Sequence, residues 1–172
     1  SMCNHEEYLP IDSEILGLPV LSFTGDYTGI SKDQKVKLQV KMEDNGEEIF
    51  DCDATLKWQG SSSVAFPKKN YNMTLYKSGT DFDKKNKVKL VEEWGKQSKY
   101  TLKANWVDYS QMRNVVSGKL YGQVIKSRNI DDEFNSLVNG GAIDGFPVVV
   151  YENGTYQGLY TLNIPTILLF IW

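Results

Sequence analysis

Between Leu56 and Tyr76 the chain reads LKWQGSSSVAFPKKNYNMTLY. Gly60 and the three serines Ser61, Ser62 and Ser63 bring small side chains and uncrowded backbone N–H groups, and Lys68 and Lys69 add two cations within ten positions. Main-chain N–H groups beside ammonium groups make a concavity suited to a phosphate or another oxyanion. A surface loop with solvated lysines has the same composition, so the flanking elements must decide. Other chemistries are poorly supplied. His5 is the single histidine and lies in the N-terminal segment, which leaves Ser-His-Asp and Cys-His arrangements without a base. Two cysteines and one histidine do not compose an ordinary zinc site. The sequence has no G-x-x-x-x-G-K-[ST] loop, no G-x-G-x-x-G run and no H-R-D loop. Asp144-Gly145-Phe146 is a scrambled echo of a metal-holding D-F-G and reads as a turn before a strand.

The elements that must position the serine-lysine segment are mostly strands. Val36, Leu38, Val40 and Met42 alternate with Lys37, Gln39 and Lys41, the pattern of a strand with one wet face. Asp44-Asn45-Gly46 follows as a tight hairpin turn, and the return strand puts Cys52, Ala54, Leu56 and Trp58 on one face. Asp51, Asp53, Thr55 and Lys57 take the other. Further strands are expected at Leu18–Thr24, Asn70–Tyr76, Lys87–Val91 and Lys99–Ala104, with 78–86 as an exposed connection. A second Asn-Gly, Asn153-Gly154, joins a strand at Val148–Tyr151 to a return strand at Tyr156–Leu162. Period two breaks once. Over Tyr109–Lys126 the apolar residues Met112, Val115, Val116, Leu120, Val124 and Ile125 recur at three and four, and Asp108 with Gln111 has capping-box spacing. A shorter helix is expected at Asp131–Val138, ended by Asn139-Gly140-Gly141. The expected fold class is therefore α+β, a mainly antiparallel sheet with one long amphipathic helix packed on it.

Composition sets the outer limits. A chain of 172 residues with 41% apolar and 24% charged residues fits one globular domain, expected over 13–165. Residues 1–12 read as a tag or disordered lead-in, without the basic and apolar regions of a signal peptide. Residues 166–172, TILLFIW, are too short to span a bilayer and read either as a final core strand or as an apolar tail on a chain cut short, with truncation the favoured expectation and the native or non-native origin of the tail left open. An oligomer through that tail is the corresponding expectation. Net charge −3 and pI about 5.2 give no reason to expect a nucleic-acid partner or an anionic membrane, so anion binding must be local. Cys3 and Cys52 read as free thiols. Localisation stays open.

Three segments in order carry a family resemblance. WQGSSSVAFPKKNYNMTL resembles the R-G-N-S-S-x-x-F-P-K-K-S-Y-x-x-x-L signature of the CotH kinase family, named for the spore coat protein H kinase. LKANWVDYSQMRNVVSGKLY is similar to that family's L-x-x-N-x-x-D-x-S-x-x-R-N segment, and VVVYENGTYQGLYTL to its V-x-V-x-x-N-G-x-Y-x-G-x-Y-x-L hairpin. The resemblance implies an atypical protein-kinase-like fold that binds ATP and Mg²⁺ and transfers phosphate to Ser or Thr hydroxyls of a protein substrate. On that reading Gly60, Ser61, Ser62, Ser63, Lys68, Lys69 and Arg113 face the nucleotide. No catalytic residue and no metal ligand is assigned, because the family's carboxylates are expected beyond the hairpin.

Two departures stand out. Gln59 replaces a frequent Arg, and Asn163 replaces a Glu that often follows Tyr-x-Leu-x, so a cation and a carboxylate become amides. Both suit a divergent branch in which the domain is a non-catalytic binding or assembly module of a phage tail or bacterial surface structure, with a structural protein as partner. Arg113 and Asn114 at the start of the long helix read as bracing, with Asp108 as the partner demanded of the arginine. Asn105 and Asp108 fit a turn and a helix cap, Gly158 and Tyr160 close strand packing, and Trp58, Trp94 and Trp106 core burial.

Overall fold

In the computed structural model, the described residues are 17–60, 65–105 and 145–165. They form seven strands: β1 Val20–Thr24, β2 Val36–Asp44, β3 Glu47–Gln59, β4 Asn70–Tyr76, β5 Lys99–Lys103, β6 Gly145–Glu152 and β7 Thr155–Asn163. Alternation decides which face each strand buries. In β2 Val36, Leu38, Val40 and Met42 are buried, and in β4 Tyr71, Met73 and Leu75 are, while the residues between them are half-buried or exposed. Both Asn-Gly pairs take positive φ at both residues, 51° and 76° at Asn45-Gly46 and 49° and 79° at Asn153-Gly154. That is the two-residue turn whose twist matches its flanking strands, and it sets the β2–β3 and β6–β7 registers at Asp44↔Glu47 and Glu152↔Thr155.

The strands run β1-β2-β3-β4-β5-β7-β6 and close into a barrel. Closure is made by β1 and β6, which pair parallel from Val20↔Val149 to Phe23↔Glu152, while the other pairs are antiparallel. This corrects the expected α+β class. A sheet rolled on itself buries its own apolar face and removes both edges, so it needs no helix as a lid. Leu21, Phe23, Leu56, Leu75, Leu102, Val148 and Leu162 fill the interior at no more than 1% exposure. Among the described residues the helical content is the 3₁₀ turn Glu92–Trp94 and the single 3₁₀ residue Ala65. The expected helices at Tyr109–Lys126 and Asp131–Val138 lie outside the described residues.

Two smaller expectations are also corrected. Lys87–Val91 is not a strand: it touches the 3₁₀ segment's far side through one bridge, Val88↔Gln97, and the Tyr100 hydroxyl donates to the Val88 carbonyl at 3.1 Å. Its apolar residues Val88, Leu90 and Val91 pack instead as a flap against the core, where Trp94 is 1% exposed and stacks on Phe146 at 5.7 Å. Gly145-Phe146 is not a turn but the start of β6. A Cβ on Gly145 would lie 2.7 Å from the Leu162 carbonyl oxygen, so the close approach of β7 requires glycine. Cys52 is a buried free thiol, as its place on the inner face of β3 implied.

Candidate anion site at one end of the barrel

The registers place the end of β1, the start of β2, the end of β3, the start of β4, the end of β5 and the β6–β7 turn at one end of the barrel. Among the described residues, the stretches 25–35 and 65–69 lie at this end. The first is held by the Trp58 N–H, which donates to the Ser31 carbonyl at 3.0 Å. The second carries the two lysines. Pro67 precedes them and Asn70 opens β4, where its side-chain oxygen accepts from the Ala104 N–H at 2.7 Å.

Lys68 turns across the barrel mouth. Its Nζ donates to the Leu159 carbonyl and, at 3.3 Å, to the Ala104 carbonyl, and lies 4.3 Å from the centroid of the Tyr160 ring. Both hydrogen-bond partners are neutral, and among the described residues no carboxylate forms an ion pair with it. Burial disfavours the charged amine and lowers its pKa from 10.5 to about 8. Gly158 makes the space, since a Cβ there would sit 3.3 Å from Nζ. Lys69 takes a different direction: its Nζ donates to the Phe66 carbonyl and lies 5.1 Å above the Trp58 ring. Gly60 has φ 107°, a conformation that favours glycine where the chain leaves β3. Ser61, Ser62, Ser63 and Arg113 lie outside the described residues.

Three further groups here carry charge or a hydroxyl and had no signature in the sequence. Lys103 at the end of β5 donates to the Gln59 side-chain oxygen, and burial lowers its pKa. The chain thus keeps a cation beside Gln59, where the resembling family often has Arg. Glu152 at the end of β6 has its carboxyl pKa raised by burial, opposed by a hydrogen bond with Tyr71. The Tyr27 hydroxyl is buried with no hydrogen-bond partner among the described residues, and burial first, then the Glu152 charge, push its pKa up. Tyr71 and Tyr160 stack at 6.3 Å, and both interact with Glu152 and Tyr27.

The structural readings of several residues hold. Tyr160 and Trp94 are core residues, while Trp58 is half-buried against the core. Asn105 takes the positive φ, 48°, of a turn, and its side-chain N–H donates to the Thr161 hydroxyl at 2.7 Å. Asn163 is 2% exposed and sits opposite Thr101 and Gly145. Trp106 and Asp108 lie outside the described residues. Among the described residues no group of three or more His, Cys, Asp or Glu side chains is arranged to hold a metal ion, and no helix is long and apolar enough to cross a membrane.

A scan against protein-family models matches the CotH kinase protein family over residues 56–163, more than half of the chain. The chain belongs to the CotH kinase protein family. That match spans β3 to β7 and so contains Lys68, Lys103, Glu152 and Tyr160. A search of curated proteins finds no match.

Proposed function

We propose that this chain is the nucleotide-facing part of a CotH-like phosphotransferase, in which Lys68 grips a phosphate of ATP for transfer to a Ser or Thr hydroxyl of a protein substrate. One observation carries the reading: Lys68 is a partly desolvated ammonium that faces two neutral carbonyls and a ring, without a carboxylate partner among the described residues. A cation held away from bulk water interacts more strongly with an arriving anion than a solvated one does. ATP, bound with Mg²⁺, would supply the phosphoryl group. The chain's own contribution is a fixed charge, held by Ala104, Leu159 and Tyr160, at the barrel end where Gly60 follows β3 and precedes Ser61, Ser62 and Ser63 in sequence. No ligand for Mg²⁺ and no catalytic base is assigned to a described residue.

A second reading, a non-catalytic binding or assembly module, is favoured by a different aspect of the same contact. Two of the three N–H donors of Lys68 are already taken by carbonyls, as in a lysine that serves only to tie β5 to β7. Calorimetric titration with Mg-ATP separates the two. Saturable binding that weakens roughly 10- to 100-fold in Lys68→Ala, with the melting curve still cooperative, supports the nucleotide reading, since a hydrogen bond to a charged group contributes about 1.5–3 kcal/mol. An absence of heat, or equal affinity in Lys68→Ala, supports the assembly module.

A further inference from the structure

We infer that the lysine-lined groove on the outer face of β3, β4 and β5 docks an acidic peptide segment of a protein partner. The groove has a volume of about 590 Å³, inside the range of ordinary ligand clefts. Lys35, Lys57, Lys85 and Lys99 line it, and Asp33 is the single carboxylate among its described lining residues.

Strand register explains how the cations come together. Lys57 lies opposite Asn72, and Thr74 lies opposite both Thr55 and Lys99. Cross-strand partners share a face, so the outer surface carries a polar floor of Thr55, Asn72 and Thr74 with Lys57 and Lys99 at its sides. Lys35 and Lys85 are added from the connections before β2 and after β4. All four lysines are exposed, and the ion pairs among the described residues, Lys41–Glu43 and Lys89–Glu92, involve none of them. Four like charges around one concavity repel each other until an anion arrives.

The spread of the charges selects the occupant. They come from two strands and two connections rather than converging on one point, which suits carboxylates distributed along a chain better than a single phosphate. The Thr74 hydroxyl and the Asn72 amide, both half-buried, can also donate to and accept from a peptide backbone. A nucleic acid would bring its continuous negative charge against a protein of net charge −3. This docking does not depend on ATP binding, and its test contains no ATP.

The test uses the full chain and a fluorescein-labelled decapeptide of alternating Glu and Asp, followed by fluorescence anisotropy at low salt. Saturable binding is expected, with at least a tenfold loss in the double variant Lys57→Glu/Lys99→Glu. The equally charged control Lys87→Glu/Lys96→Glu, outside the groove, should change affinity less than threefold. The substituted residues are all exposed, and a melting curve for each variant confirms folding. Equal loss in both double variants, no saturable binding, equal affinity for a Gln/Asn decapeptide, or tighter binding of single-stranded DNA would each overturn the inference.

Discussion

The ammonium of Lys68 lies 4.3 Å from the centre of the Tyr160 ring, which joins the segment before β4 to the inner face of β7. Tyr160 is 2% exposed, so the cation rests on the core itself. A ring face attracts a cation without neutralising it, and carbonyl oxygens likewise solvate its charge without cancelling it. The lysine is therefore positioned yet still carries unopposed charge.

That placement predicts a pH-dependent stability difference. The folded pKa of Lys68, about 8, lies below the ordinary 10.5, so between these values the unfolded chain binds the extra proton. Stability contributed through this group must then rise with pH across that window. Denaturant unfolding of the wild type and of Lys68→Met should show the wild type gaining on the variant from pH 8 to pH 10. A flat difference would mean that the amine is solvated.

Gly158→Ala should be destabilising for two reasons. The backbone there has φ 101°, and the new Cβ would lie 3.3 Å from Nζ of Lys68. Strain of this kind costs about 1–3 kcal/mol. Thermal unfolding should show the loss, and Lys68→Ala should relieve only the part due to crowding. A neutral Gly158→Ala would contradict the packing described here.

Tyr71→Phe removes the hydrogen bond that holds down the pKa of Glu152. Burial already raises that pKa, so the folded chain binds the extra proton just above pH 4.5, and stability falls as pH rises through the window. Loss of the Tyr71 partner lifts the pKa further and widens the window. The penalty should be small near pH 4 and reach about 1–3 kcal/mol at pH 7, where the carboxylate is left without its hydroxyl. Denaturant midpoints at the two pH values check this, and an equal penalty at both would count against a buried Glu152–Tyr71 contact.

Asn153 does more than shape its turn. Its side-chain oxygen accepts from the Gly25 N–H and its side-chain N–H donates to the Gly25 carbonyl, each at 2.9 Å, clasping the end of β1 to the β6–β7 hairpin. This is the one parallel junction of the barrel. Asn153→Gly keeps the positive φ but removes both bonds, and should cost about 1–2 kcal/mol by urea unfolding. Asn153→Asp, which keeps the acceptor alone, should fall between. Equal stability of all three would show that the clasp contributes nothing.

Period-two alternation made β2, β3 and β4 legible from residue types, and both Asn-Gly turns announced their hairpins. Barrel closure was not legible, because it depends on β1 meeting β6 across more than a hundred residues, in a parallel pairing that no local pattern encodes. The lysine-alternating stretch at Lys87–Val91 looked like a strand because a flap packed on one side produces the same alternation. At the site, the residue types singled out Lys68, but not that its amine would turn inward while that of its neighbour Lys69 stays over Trp58. Lys103, Glu152 and Tyr27 reach this end only through the registers of β5, β6 and the 25–35 connection. Nothing in their spacing marked them.

The most direct measurement is an NMR titration of the Lys68 side chain, assigned by comparison with Lys68→Arg, in the absence and presence of Mg-ATP. An amine that titrates near pH 8 alone and moves upward when nucleotide is added is the expected result, because a bound phosphate stabilises the charged form. A midpoint near the ordinary 10.5, or one that nucleotide leaves unmoved, would contradict the assignment of Lys68 as the phosphate-gripping group.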